Sequence, residues 1–347
     1  MDKVTRIGMD TSKRVFQLHG VGESERVVLK RKVRRQDVFA FFAELPATKI
    51  GIEACGAAHY WARELMKLGH EVVLVPPQYA KAYVKRGKND AADAAAICEA
   101  MSRPSMSFVM VKTAEQQADL MLAGVRETLI KTRTRIANAI RGYAAEFGHV
   151  APEGLGHLAE LRKRVAEDKT LPKVMREMIT LLGQDFDHAD RQCAKVEAKL
   201  MAWHKSNAAS RRLTKIPGVG PIGASLMVMK TPNPKAFKSA RHFAAWMGLT
   251  PKDHSTAGKM RMGAITRAGD EMLRSTLVAG ATSITKLIKH RPERVSPWLR
   301  ALDQRKPRKV TAVALANKNA RIAWKMMVTG EVYDAQRSRM GETLAVA

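Results

Sequence analysis

Cysteine is nearly absent from this chain of 347 residues: there are three, Cys55, Cys98 and Cys193, scattered and without metal-ligand spacing. An odd, dispersed set excludes a disulfide framework and a thiolate metal cage. It predicts reduced, buried cysteines of a cytosolic protein. Aromatic residues make up only 5%, so stacking of bases on aromatic platforms does not dominate any nucleic-acid contact. No apolar run approaches the roughly 20 residues that span a bilayer, and the opening "MDKVTRIGMD" lacks the apolar core of a signal peptide. Acidic residues are scarce as well, 33 Asp plus Glu against 60 Lys plus Arg, which leaves a formal net charge of +27. That excess exceeds the needs of solubility and points to a polyanionic partner, nucleic acid before a membrane surface. Phosphate contact and shape, rather than base stacking, are expected to carry the binding.

Three regions follow one another. Residues 1–110 read as α/β. "VTRIGMD" is a short strand ending at Asp10, and Gly20 and Gly22 punctuate a hairpin and a third strand in "RVFQLHGVG" and "ERVVLKRKV". "RRQDVFAFFAEL" has helical spacing, "ATKIGIE" is a strand ending at Glu53, and "AAHYWARELMKLG" is a helix closed by Gly69. "HEVVLVPP" is a buried strand stopped by prolines. After a basic loop with Lys85, Arg86 and Lys88, "NDAADAAAICEAM" begins a helix capped by Asn89 or Asp90. Residues 111–208 carry two long amphipathic stretches, "EQQADLMLAGVRETLIKTRTRIANAIRGYAAEF" and "MITLLGQDFDHADRQCAKVEAKLMAWH". They predict an antiparallel coiled-coil arm for oligomerisation or, as the plainer alternative, a helical core. Residues 209–332 read as a mostly helical domain, and 333–347 as a frayed tail.

Few as they are, four acids fall at convergent places. Asp10 and Glu53 end two strands that are neighbours if the first and fourth strands pair, and the i, i+3 spacing of Asp90 and Asp93 puts both on one helix face. Crowded carboxylates repel unless hard cations neutralise them, so the set predicts an oxygen cage for Mg²⁺ or Mn²⁺. Two such ions about 4 Å apart serve phosphodiester chemistry. The hairpin-first strand order is that of a ribonuclease H-like nuclease fold. "GMDTSK" also matches the phosphate-binding start of actin-like ATPases, but that fold needs a second copy of the domain, which residues 210–330 do not provide. Taken singly, Asp10 is equally a turn residue and Asp90 a helix cap.

The second half offers other features. "LTKIPGVGPIGASLMVM" reads as a helix-hairpin-helix in which Gly218 and Gly220 shape a turn whose N–H groups suit a phosphate; a structural turn is the alternative. In "GLTPKDHSTAGKMRMGAITRAGDEMLR", Ser255 stands among His254, Lys259, Arg261, Arg267 and Arg274, and a hydroxyl among cations is what attack on phosphorus requires. Between 286 and 309 nine basic residues, Arg305, Lys306, Arg308 and Lys309 among them, face two acids, which reads as a nucleic-acid rail.

Asp10, Glu53 and "KNDAADA", with "IPGVGPIGASL" and the serine block in the same order, resemble the DEDD group of insertion-sequence transposases related to Piv-type DNA invertases. The resemblance spans about residues 4–330. It implies a RuvC-like N-terminal domain holding Mg²⁺ through Asp10, Glu53, Asp90 and Asp93. It implies Ser255 as the nucleophile of a 5′-phosphoserine intermediate, and double-stranded DNA and a structured guide RNA as partners. It also implies a homo-oligomer, dimer to tetramer, joined by coiled coils, with acids and serine from different protomers. Relatives often carry Ser-Ser-Gly or Ser-Thr-Gly-Gly where this chain has Ser-Thr-Ala-Gly, so Thr256 is the other hydroxyl that aligns. A metal-dependent junction-resolving endonuclease and a non-catalytic nucleic-acid-binding protein are the rival functions.

Overall fold

A computed structural model of the chain describes residues 3–83, 90–256 and 258–334. Lys85, Arg86, Lys88, Asn89 and the tail from 335 lie outside the described residues. The chain divides into two compact units, residues 1–117 and 118–347.

The first unit is built on one five-stranded sheet. Strands β1 (Arg6–Asp10), β2 (Val15–Val21) and β3 (Val27–Arg34) form an antiparallel meander, and β4 (Lys49–Glu53) and β5 (Glu71–Val75) add to β1 in parallel, giving the order β3-β2-β1-β4-β5. Side-chain alternation sorts the residues onto two faces. Ile7, Met9, Phe16, Leu18, Ile50, Ile52 and Leu74 point to one face and form a buried core. Helices α1 (Val38–Ala43) and α2 (Ala58–Lys67) cover that core. Helix α2 delivers Ala58, Trp61, Ala62 and Leu65, a stripe of helical period, and Trp61 meets Phe16 edge to face at 4.9 Å between centroids. Gly69, at φ +90°, ends that helix in the left-handed conformation a helix terminus favours.

The opposite face carries glycine where the first carries isoleucine and methionine. After the short α3 (Pro77–Ala80), α4 (Asp90–Ala100) lies directly against Gly8 and Gly51. A Cβ at Gly8 would stand 2.2 Å from the Ala94 carbonyl oxygen and 2.5 Å from the Cys98 nitrogen. At Gly8 strand and helix are therefore both stripped so that their backbones touch, and Gly51 leaves room for the Ile97 and Met101 side chains.

The second unit contains two helices of about 50 Å each, α5 (Ala114–Glu146), which begins just before the unit's first residue, and α7 (Lys173–Ser206). Trp203 donates to Asp119 (2.7 Å), Arg126 pairs with Glu197 (2.6 Å) and Arg133 with Asp190. Partner numbers rise on one helix as they fall on the other, so the two run antiparallel. Helix α6 (Leu158–Glu167) packs on them through Leu158, Leu161 and Val165, and Arg162 grips Asp187 through both carboxylate oxygens at 2.7 and 2.9 Å.

Helices α8 (Ala208–Leu213), α9 (Pro221–Lys230), α10 (Ala240–Trp246), α11 (Glu271–His290), α12 (Pro297–Arg305) and α13 (Arg308–Thr329) surround a second core that includes Leu213, Phe243, Leu277, Ala316 and Trp324. One hairpin interrupts them, β6 (Pro251–Asp253) paired with β7 (Met262–Ile265). The chain is thus mixed α/β, with a sheet at the N-terminal end and a helical C-terminal region. The expectation of three buried cysteines is corrected. Cys98 and Cys193 are buried, but Cys55 is exposed, because the loop after β4 turns outward past the sheet's end.

Candidate active site

The end of the sheet where β1 and β4 stop gathers the acids. Asp10 is the last residue of β1 and Glu53 the last of β4. Met9 pairs with Ile52, so the next residue of each strand falls side by side. Helix α4 begins at the same end, and its first turn holds Asp90 and Asp93. Carboxylate oxygens of Asp10, Asp90 and Asp93 all lie within 4.8 Å of one another. Glu53 is outside that trio, though near enough to act on Asp10 electrostatically.

Electrostatics mark Asp10 as the constrained member. Its pKa is raised to about 6, first by burial and then by the charges of Asp93, Asp90 and Glu53. Carboxylates held this close, Asp10 and Asp93 partly buried and Asp90 exposed, are stabilised by a cation at their centre. Three acids of all-oxygen donor chemistry, without cysteine or histidine among them, fit a hard divalent ion such as Mg²⁺ or Mn²⁺. Gln17, opposite Asp10 on β2 and 9% exposed, and Thr11, whose hydroxyl lies 3.5 Å from the Cys55 sulfur, complete the surroundings. Gln17 and Thr11 were not singled out in the sequence; strand register places Gln17 beside Asp10, and Thr11 follows Asp10 directly.

The serine sits in the loop that joins β6 to β7, two residues after β6 ends. Ser255 and Thr256 are both exposed. The Ser255 N–H donates to Asp253 Oδ1 (2.8 Å), and the Arg261 N–H donates to Ser255 Oγ (3.0 Å). Asp253 in turn has its pKa lowered, chiefly by the Ser255 hydroxyl and then by its N–H. Asp253 thus holds the Ser255 backbone and the Arg261 N–H holds its hydroxyl oxygen, whereas the Thr256 backbone is engaged with Lys259 in the turn. Asp253 was not singled out in the sequence; its signal is the Asp-x-Ser spacing of a side-chain-closed turn.

Of the basic residues, Lys259, Arg261 and Arg267 are exposed around the hairpin, and Arg305, Lys306, Arg308 and Lys309 are exposed where α12 gives way to α13. Arg267 has φ +56°. Arg274 is engaged within the fold, donating to the carbonyls of Met247 (3.2 Å) and Gly269 (3.0 Å). In the turn before α9, Gly218 has φ +85° and faces inward, within 3.0 Å of the Gly280 carbonyl for an added Cβ, while Gly220 faces open space. Gly218 thus seats the turn on α11, and Gly220 presents its outer side. Among the described residues no helix is long and apolar enough to cross a membrane.

Comparisons with known proteins agree with one another. Residues 7–147 match the family model for DEDD transposases of the IS110 type, described as "Transposase", and residues 210–296 match that of the "Transposase IS116/IS110/IS902 family". A Sinorhizobium fredii protein named "Putative transposase y4pF/y4sB" is 58% identical over 334 residues, covering 96% of this chain and 86% of its own. A Pseudomonas aeruginosa protein named "Probable family 20 transposase" is 44% identical, covering 93% and 97%. The "Transposase for insertion sequence element IS1328" of Yersinia enterocolitica is 36% identical, covering 96% and 99%. With relatives this similar along nearly the whole of both chains, this protein belongs to the IS116/IS110/IS902 family of transposases.

Proposed function

We propose that the protein is a metal-dependent DNA transposase of an insertion sequence. In this reading it cuts and rejoins DNA through a covalent 5′-phosphoserine link, and a structured guide RNA selects the target by base pairing. The observation that carries the reading is the meeting of Asp10, Asp90 and Asp93 within 4.8 Å at the sheet's end. What further supports it is the strand order, an antiparallel meander followed by two parallel strands, which is that of RuvC and the ribonuclease H-like nucleases.

Asp10, Glu53, Asp90 and Asp93 would hold Mg²⁺ or Mn²⁺. A bound divalent ion supplies charge that offsets the oxyanion developing at phosphorus. Ser255 Oγ, oriented by the Arg261 N–H and held beside Asp253, forms the new bond to phosphorus. The bond from phosphorus to the 3′ oxygen breaks, the serine proton leaves to a base, and the departing 3′ oxygen takes up a proton. Attack by a different 3′ hydroxyl reverses the step and frees the serine. Bond energy is conserved in the phosphoserine, so strands exchange without a nucleotide cofactor.

Lys259, Arg261 and Arg267, with Arg305, Lys306, Arg308 and Lys309, would contact phosphates, as would the turn at Gly218 and Gly220. The paired helices α5 and α7 would serve as the arm through which protomers assemble. A purely hydrolytic junction resolvase has no use for a serine fixed in a hairpin, which is why the recombinase reading is preferred.

The test is covalent trapping. Element-end DNA incubated with protein and Mg²⁺ should yield a protein–DNA adduct that Ser255→Ala abolishes and Thr256→Ala retains. An adduct lost only in Thr256→Ala would move the nucleophile. Free 5′-phosphates with no adduct in any variant would establish the hydrolytic enzyme instead. Sequencing of RNA that co-purifies with the protein tests the guide.

A further inference from the structure

Strand β3 is the outer edge of the sheet, and its side chains alternate between two quite different surroundings. Val33 is buried and Leu29 partly so against the apolar core, and Arg31 on that same face lies 5.1 Å from the centroid of Phe41. Lys30, Lys32 and Arg34 point the other way, and all three are exposed. Register carries that face across the sheet: Lys32 pairs with Gln17, and Gln17 pairs with Asp10. One row on one face therefore runs from a cation on the edge, through a neutral amide, to the acid cluster. Lys30 opens the next row, through His19 to Gly8, where α4 is seated.

The geometry suits a phosphate chain. Backbones two strands apart are separated by about 10 Å, and residues i and i+2 along a strand by about 6.8 Å, close to the step between successive phosphates of one nucleic-acid strand. Among the described residues none of the three cations has a carboxylate within 4.0 Å, so their charge is not spent inside the fold. Edge lysines also discourage strand-to-strand aggregation, but that purpose does not require all three to share the face of the acids.

We propose that Lys30, Lys32 and Arg34 form a phosphate track that holds the backbone of the DNA strand whose reacting phosphate lies at Asp10, Asp90 and Asp93. The choice of DNA rests on the DNA-cutting reading above. The track positions substrate; it does not touch the reacting atoms.

The test is the salt dependence of binding, measured with the full-length chain in EDTA and on an Asp10→Asn background so that cleavage plays no part. Duplex DNA of the element end and a structured RNA are the two probes. The triple variant K30Q/K32Q/R34Q should lower the slope of log affinity against log salt on DNA by about 2.7, three contacts at about 0.9 each. It should weaken DNA binding at least tenfold at low salt. Lys30→Arg with Lys32→Arg should keep the slope, and Arg31→Gln, on the opposite face, should leave it unchanged. Three outcomes overturn the track. These are an unchanged DNA slope in the triple variant, a loss confined to RNA, and the same loss from Arg31→Gln. If the triple variant aggregates, Lys32→Glu alone decides, and it must weaken DNA binding for the track to stand. A reduced slope in a protein that never cuts DNA keeps the track and ends the cutting reading.

Discussion

Gly8→Ala tests how the acid cluster is assembled, because it adds one methyl group between β1 and α4 and changes no charge. That methyl would lie 2.2 Å from the Ala94 carbonyl oxygen and 2.5 Å from the Cys98 nitrogen, both backbone atoms of α4. Ordinary contact begins at 3.4 Å, so the helix must retreat by about 1.2 Å or tilt by an equivalent amount. Overpacking of this kind costs about 1–3 kcal/mol, and the upper part of that range applies because a helix backbone yields less readily than a side chain. For a unit of 117 residues a loss of 2–3 kcal/mol corresponds to a fall in Tm of roughly 8–12 °C. The retreat also carries Asp90 and Asp93 away from Asp10. Octahedral Mg²⁺ or Mn²⁺ tolerates little change from ligand distances of about 2.0–2.1 Å, so Mn²⁺ affinity should fall at least tenfold. Gly51→Ala is the comparison: its added Cβ meets the Met101 sulfur at 2.7 Å and Ile97 Cγ2 at 3.1 Å, side-chain rather than backbone atoms, and should cost about 1 kcal/mol, the low end of overpacking. Calorimetry, following the transition that Asp10→Asn also moves, and Mn²⁺ titration by electron paramagnetic resonance read both quantities. If Gly8→Ala leaves stability within 1 kcal/mol and Mn²⁺ affinity unchanged, the helix is not seated on β1 and the account of the site fails.

Two further outcomes follow from the packing. His59 is held neutral, its pKa lowered to about 4 by burial and then by the neighbouring charges of Lys112 and Arg63. Its unfolded value is higher, about 6.5, so the unfolded chain takes up the proton first as pH falls. Stability is therefore full above about pH 6.5 and lost progressively toward pH 4. At pH 5 the loss should be about 1 kcal/mol once solvent screening of a half-buried ring is allowed for, and urea unfolding of His59→Gln should lack that portion of the pH dependence. On the long helices, a double-mutant cycle of Arg126→Ala and Glu197→Ala should show a coupling of about 0.5–1 kcal/mol that weakens in high salt; a coupling of zero would mean that the pair does not fix the helix register.

Legibility in the sequence followed periodicity. Strands β1, β2 and β4 alternate in residue type and β5 is a short apolar run, and the two long helices contain few breakers, so these were readable; the strand-end places of Asp10 and Glu53 and the i, i+3 step of Asp90 and Asp93 are likewise local facts. The β6–β7 hairpin was not readable: Pro251–Asp253 and Met262–Ile265 are almost wholly exposed and have no buried face to impose a period of two. The fixing of Ser255 by Asp253 and Arg261 depends on that pairing and was invisible with it. Gly8 and Gly51 were not singled out in the sequence, since only the packing of α4 and Met101 against them shows why a Cβ is excluded there. Cys55 was misjudged because residue type was taken for environment, and the loop after β4 leaves the sheet.

The scarcity of acids also bears on how the site is built. In a chain of +27, a carboxylate has many possible partners, and most described ion pairs use one: Glu25 with Arg6, Glu71 with Lys49, Asp187 with Arg162, Asp270 with Lys230. Among the described residues Asp10, Glu53, Asp90 and Asp93 form none of those pairs, despite Lys30, Lys32 and Arg34 on the same sheet face. Distance explains it: the register places buried, neutral Gln17 between Asp10 and Lys32. A cation brought one strand closer would neutralise the acids from within and remove the negative field that draws a divalent ion. Gln17→Lys makes that change directly. The new ammonium should pull the Asp10 pKa down from about 6 by direct pairing, raise the stability of the metal-free protein, and weaken Mn²⁺ binding. A Gln17→Lys protein that binds Mn²⁺ as tightly as the wild type would show that the neutral spacer between acids and cations has no part in the site.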